Sequence, residues 1–156
     1  MMLDATERCA LSDVVHRYAA GTDEQDFNSV TELFTETAEL ILPEPPAMLD
    51  PVHRHCGHPA IRAAIEAVTA TIRTEHAIVG EVYDIGPRPH TARGRIACVA
   101  HHWSQHGDQL TDVAWHVRYD DEYRSTDAGW RITHRALTIN AIETRPVRRV
   151  RFGGRG

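Results

Sequence analysis

Between Glu75 and Glu143 the sequence alternates with period two. It is interrupted at Gly86-Pro87-Arg88-Pro89, His106-Gly107-Asp108 and Asp127-Ala128-Gly129. Such a pattern predicts four long strands joined by turns, around Glu75 to Ile85, Thr91 to Trp103, Leu110 to Ser125 and Trp130 to Glu143. Strands in that order, linked by short connections, pair antiparallel, and one face of their sheet must be covered. The residues before them read as helices, so the chain is constrained to an α+β class in which a strongly curved sheet wraps its own N-terminal helices.

Leu11, Val14, Val15 and Tyr18 recur at i, i+3, i+4 and i+7. This predicts a helix from about Thr6, as N-cap, to Gly21, with Tyr18 pointing inward. Asp26 reads as the N-cap of a second, short helix carrying Val30, Leu33 and Phe34. Asp23 falls at the junction, where a side chain can reach into a cavity. Ala38 to Leu42 reads as a strand, and Pro43, Pro45, Pro46 and Pro51 predict a long rim loop after it. A third helix is expected from Pro59 to near Arg73, burying Ile61, Ile65, Val68 and Ile72.

A chain of 156 residues, 42% of them apolar, supports one domain with a continuous core, taken here as 1–144, followed by a basic, mobile tail, 145–156. The net charge of −5 argues against a nucleic-acid surface, and the apolar runs are too short to span a bilayer. Three widely spaced cysteines and an N-terminus without a signal-peptide layout point to the cytoplasm. All 17 basic residues are arginine, so chemistry through a Schiff-base or P-loop lysine is excluded. Neither a Gly-x-Gly-x-x-Gly fingerprint nor a Gly-x-Ser-x-Gly elbow is present.

Histidine is the abundant chemical resource. His76 shares strand parity with Ile78, Gly80 and Val82, the face expected to look into the core or a cavity. An imidazole there is either a satisfied core group or a base, and a carboxylate partner such as Asp23 would make it the latter. His101 and His102 are adjacent on one strand and point to opposite faces. Apolar neighbours accompany both, so alternation alone does not choose between them. Arg135 is in phase with Leu137 and Ile139 and needs an acid or a ligand, with Asp23 or Glu81 as the structural partners considered. His53-Arg54-His55-Cys56-Gly57-His58 matches no paired metal-ligand spacing and reads as part of the rim.

The segments Arg17-Tyr18-x4-Asp23-x2-Asp26-Phe27, Glu75-His76-Ala77-Ile78-Val79-Gly80 and Gly129-Trp130-Arg131-Ile132-x2-Arg135, in this order, resemble the SnoaL-like branch of the nuclear-transport-factor-2-like superfamily. The resemblance covers about Leu11 to Ile139 and implies a cone-shaped α+β barrel with a deep apolar pocket. It implies that Asp23 and His76 form a catalytic dyad like that of scytalone dehydratase and hexachlorocyclohexane dehydrochlorinase. It also implies that Tyr18 is similar to the catalytic tyrosine of the bile-acid 7α-dehydratases. Arg135 resembles a pocket arginine of those enzymes, and His101 falls where scytalone dehydratase has its second histidine. Thr22 and Tyr119 stand where that dehydratase has a tyrosine and an asparagine, and Tyr18 replaces the dehydrochlorinase lysine. The resemblance therefore does not extend to either enzyme's substrate.

What it implies is a lyase or isomerase of dehydratase or cyclase type that needs no metal or organic cofactor. Its substrate would be a hydrophobic polycyclic, steroid-like or polyketide-like carbonyl compound. Asp23, His76 and Tyr18 would be catalytic, with Arg135, His101 and Tyr119 binding substrate. A homodimer or higher homo-oligomer, anchored by Trp103 or Trp115, is the expected assembly. The rival class is a non-catalytic small-molecule binder or interaction subunit, like the β-subunit of ring-hydroxylating dioxygenases.

Overall fold

A computed structural model describes residues 2–152. The order of elements is α1 (Ala5–Glu24), α2 (Phe27–Glu32), β1 (Phe34–Glu44), β2 (Met48–Cys56), α3 (Gly57–Ile65), a 3-10 turn (Glu66–Ala70), β3 (Arg73–Ile85), β4 (Thr91–His106), β5 (Gln109–Thr126) and β6 (Gly129–Val147). The strands form one sheet in the order β2-β1-β6-β5-β4-β3, which leaves β2 and β3 as edges rather than closing a barrel. All neighbours are antiparallel except β1 and β6, so the sheet is mixed. The α1 helix packs against β3 and α3 against β1, and their apolar stripes join the inner face of the sheet in a single core.

The first helix starts at Asp4, where Asp4 and Glu7 form a reciprocal capping box, rather than at Thr6. It also runs past Gly21 to a left-handed cap at Gln25, so Asp23 lies in the last helical turn and not in a junction. Gly21 serves close packing instead: a Cβ there would come within 2.6 Å of Val30 Cγ2 on α2. Asp26 caps α2 as expected, accepting from the Ser29 amide and hydroxyl.

The proline-rich stretch forms the hairpin β1–β2 and not a loop. Prolines are tolerated here because Pro51 lies on an edge strand and Pro43 sits at a register shift between Leu42 and Glu44. The third helix stops at Ile65, well short of Arg73. In the 3-10 turn that follows, the Thr69 and Thr71 hydroxyls bond to the carbonyls of Glu66 and Val68, an alternative to the helical ladder.

The four long strands appear where period two placed them. A bulge at Val79 breaks the parity of β3, however: Ile78 pairs with Cys98 and Gly80 with Ala97. Beyond it Glu81 and Tyr83 take the inner parity, and Val82, half exposed, takes the outer one instead of sharing the face of His76. The β6 strand continues through residue 144 to Val147. Val150 is buried and the Arg73 Nε donates to the Arg151 carbonyl. The part of the expected tail at residues 153–156 lies outside the described residues.

Candidate functional site

Where the end of α1 meets the start of β3, three donors converge on one carboxylate. The His76 amide donates to Asp23 Oδ2 at 2.8 Å, the Thr74 hydroxyl to Oδ1 at 2.9 Å, and His76 Nδ1 lies 2.6 Å from Oδ1. An ionised carboxylate can only accept, so Nδ1 carries a proton, and when the ring holds a single proton Nε2 is the bare nitrogen. Among the described residues Nε2 has no hydrogen-bond partner, and His76 lines a cavity of about 390 Å³. The side chains of His76 and Asp23 are 9% and 21% exposed, so the pair is sheltered while Asp23 keeps an edge in a second, open depression beside Glu24 and Arg73.

The cavity is apolar over most of its wall. Leu42 from β1, Ile65 and Val68 around the end of α3, and Val113, Trp115 and Val117 from β5 form its body. Polar groups are few: Tyr18, Thr22, Thr71, His76, His102, Ser104 and Tyr119. An apolar wall with a small number of polar side chains is the usual make-up of a site for a small organic ligand.

His102 occupies the cavity, and His101 does not. On β4 the inner face carries Ala92, Ile96, Cys98 and Ala100, all buried, and His102 continues that parity. His102 Nδ1 donates to the Val113 carbonyl at 2.9 Å, which again leaves Nε2 bare, and its ring lies 6.3 Å from that of His76. Burial lowers the His102 pKa, and the neighbouring His76 pushes in the same direction. His101 points out of the opposite face, where Nδ1 contacts Asp112 Oδ2 at 2.7 Å and the ring stacks on Trp103. The expectation that His101 binds substrate is corrected accordingly.

Arg135 also departs from expectation. It is fully buried and absent from the cavity wall. Its partner is Asp121, directly opposite on β5, through a two-pronged contact of 2.8 and 2.7 Å, and neither Asp23 nor Glu81 is involved. Its Cζ lies 4.2 Å from the ring centres of both Tyr18 and Tyr119. The two rings meet edge-on at 71° and separate the guanidinium from the cavity. Burial pushes both phenols up. Arg135 draws Tyr18 part of the way back, and Cys98 beside Tyr119 adds to the upward push. Both therefore remain protonated donors at neutral pH.

Sequence reasoning found Asp23, His76, Tyr18 and Tyr119, and the structure brings all four to one region. It missed Thr74, which helps hold Asp23, and Asp121, which answers Arg135. The signal for Asp121 was its parity with Tyr119 and Tyr123, a carboxylate on an otherwise apolar face. Trp115, considered as an interface anchor, is a cavity wall, whereas Trp103 lies outside. The histidines near residue 55 disperse: His53 pairs with Glu44 and His58 with the Phe34 carbonyl. Among the described residues no group of three His, Cys, Asp or Glu gathers to hold an ion.

The model of the SnoaL-like domain matches residues 4–136, and the chain belongs to this family. No curated protein sequence matches it. Among solved structures, a protein of Novosphingobium aromaticivorans provisionally named an aromatic ring hydroxylase superimposes with a TM-score of 0.75 at 23% identity, covering 93% of this chain and 96% of that one. A second protein of that organism, provisionally named a scytalone dehydratase, gives 0.74 at 19% identity, covering 97% and 95%. A type 2 hexachlorocyclohexane dehydrochlorinase gives 0.72 at 16% identity, again covering 97% and 95%. At these identities the likeness establishes the fold.

Proposed function

We propose that this SnoaL-like protein is a cofactor-independent lyase or isomerase of the dehydratase or cyclase type. Its substrate would be a hydrophobic polycyclic, steroid-like or polyketide-like carbonyl compound. The observation that carries the reading is the 2.6 Å contact between Asp23 and His76 at the wall of an apolar cavity. Asp23 fixes the ring and its tautomer, and the bare Nε2 removes a proton from the carbon beside the carbonyl. The electrons move onto the carbonyl oxygen, where the Tyr18 hydroxyl donates to the developing negative charge. Charge stabilisation of this kind is most effective where water is excluded.

In an elimination, the leaving hydroxide needs a proton. His76 Nε2, which then carries the proton taken from carbon, returns it to the departing hydroxide so that water leaves, while His102, 6.3 Å away with its proton on the Val113 carbonyl, can accept a hydrogen bond from the substrate hydroxyl and orient it. The proposal includes a homodimer in which a second copy covers the outer face of the sheet around Trp103, to be tested by sedimentation at micromolar concentration. The three unpaired cysteines fit a reducing, cytoplasmic setting.

The test begins with turnover of a panel of polycyclic β-hydroxy ketones, followed by dehydration or isomerisation in the ultraviolet. In His76→Ala turnover is expected to fall by about 10²- to 10⁴-fold while ligand affinity stays within about tenfold, because the lost interaction is made mainly in the transition state. If Asp23, His76 and Tyr18 variants change affinity and turnover in parallel, the residues only shape a cavity and the protein is a binder.

A further inference from the structure

We infer that residues 148–151 form a strap behind the Asp23–His76 pair, and that Val150 is a positioning residue that limits water at the back of the carboxylate. The purpose of the strap rests on the lyase reading, since a sheltered carboxylate matters to the chemistry only if His76 works as a base. The evidence for the strap is the path of the chain and the burial along it.

One row of paired residues crosses the sheet at this end. It runs from Arg73 on the edge strand β3 through Trp103 on β4 and Asp112 on β5 to Arg145 on β6. Just beyond Arg145 the β6 strand ends at Val147, and the chain bends at Arg148. It returns to the other end of the same row, where Arg73 Nε donates to the Arg151 carbonyl at 3.0 Å. The segment is therefore tied on both sides, by the pairing of Val147 with Leu110 and by Arg73. So short a stretch between two ties has little room to wander.

Within the strap the side chains divide sharply. Arg148, Arg149 and Arg151 are exposed, whereas Val150 is 8% exposed although it stands outside every strand and outside the main apolar core. Val150 lines the open depression behind the dyad, together with Ala20, Asp23, Thr74 and Trp103. None of residues 148–151 lines the cavity, so the strap meets the pair from the far side of Asp23 and touches no ligand.

Three donors already converge on Asp23, and a carboxylate offers about four lone-pair sites. Water reaching the carboxylate from behind competes with the Nδ1 proton and raises the local dielectric, which weakens the hold on the ring. The Asp23 side chain is 21% exposed, so a small retreat of the strap changes its hydration. A β-branched apolar side chain suits this place, because it offers water no partner and is restricted in rotation.

The test uses the full chain and loosens the strap in two ways, by Val150→Ser and by Arg73→Met, with Val150→Ile as the conservative control. The first readout needs no turnover. In protein labelled with 15N at histidine, exchange of the His76 Nδ1 proton with water is followed by proton NMR at pH 7.5. It is expected to speed up by about tenfold in Val150→Ser, by about threefold or more in Arg73→Met, and by no more than about twofold in Val150→Ile. The His102 Nδ1 proton, which is donated to the Val113 carbonyl inside the cavity, serves as the reference, because a general loosening of the fold speeds both. The second readout is turnover of the β-hydroxy ketones. In Val150→Ser kcat should fall by about tenfold with KM within about twofold, since the strap acts on the base and not on the ligand. An unchanged His76 exchange in Val150→Ser, or an equal gain at His102, overturns the strap. Faster exchange with unchanged kcat overturns the positioning role. Absence of turnover in the unmodified protein strikes the lyase reading alone, and the exchange result still decides the strap.

Discussion

Two histidines of this sheet pair with an aspartate at nearly the same spacing, 2.6 Å for His76 with Asp23 of α1 and 2.7 Å for His101 with Asp112 of β5. Their surroundings differ in every respect that matters for chemistry. Asp23 receives three donors and leaves the far nitrogen of His76 facing an apolar cavity. Asp112 lies on the outer face, with one oxygen buried and unpartnered, and its histidine is stacked on Trp103. A short contact between an imidazole and a carboxylate is therefore no indicator of function by itself. What separates the pairs is which side of the sheet each one serves, and that is a matter of strand parity.

The widest separation is expected in turnover. Asp23→Asn and His76→Ala should each cost about 10²- to 10⁴-fold, since one removes the base and the other can reverse its tautomer. His101→Ala and Asp112→Asn should stay within about threefold. Equal losses in the two sets, measured as kcat, would erase the distinction. Tyr18→Phe should come next, at about 10²-fold, as the loss of one donor to the developing oxyanion.

Stability should separate the pairs in the same direction. Asp23→Ala leaves the Thr74 hydroxyl, the His76 amide and the imidazole without their acceptor, and urea denaturation is expected to show a loss of about 2–3 kcal/mol. Asp112→Ala removes a carboxylate that already has an unsatisfied oxygen, and a change within about 1 kcal/mol is expected. A larger loss at Asp112 than at Asp23 would mean that the outer pair is the structural one.

The smallest effect concerns pH. Because burial depresses the His102 pKa in the fold, the unfolded chain takes up this proton first as pH falls. Stability should therefore be full above the ordinary histidine range and decline as pH drops through it towards the lower folded value. His102→Gln should flatten that decline in urea titrations between pH 7.5 and 5, whereas His101→Gln should leave the His102 contribution in place.

The long strands were legible in the sequence because period two persisted over many residues and turns marked their ends. His76 was legible as a candidate because strand parity turned it inward; Asp23 was read in a junction rather than in the last turn of α1, and the family resemblance is what joined the two as a pair. The choice between His101 and His102 was not legible, since Val99 and Trp103 support one parity as well as Ile96 and Cys98 support the other. The extra residue at Val79 was hidden for a similar reason: a bulge changes parity without changing composition, although a glycine inside a strand, Gly80, was a hint. The β1–β2 hairpin was missed because prolines argue against strands in general, while an edge strand tolerates them. The partner of Arg135 depended on the β5–β6 register, which places Asp121 opposite it and which no single strand encodes.

The central claim, that Asp23 holds His76 with a bare nitrogen towards the cavity, is tested most directly by long-range proton–nitrogen NMR on protein labelled with 15N at histidine. At pH 7.5 the neutral His76 ring should be protonated at Nδ1 and bare at Nε2. Its Nε2 signal should shift when 2-acetonaphthone fills the cavity, and the tautomer should change in Asp23→Asn. A His76 ring protonated at Nε2, or one indifferent both to the ketone and to Asp23→Asn, would contradict the account.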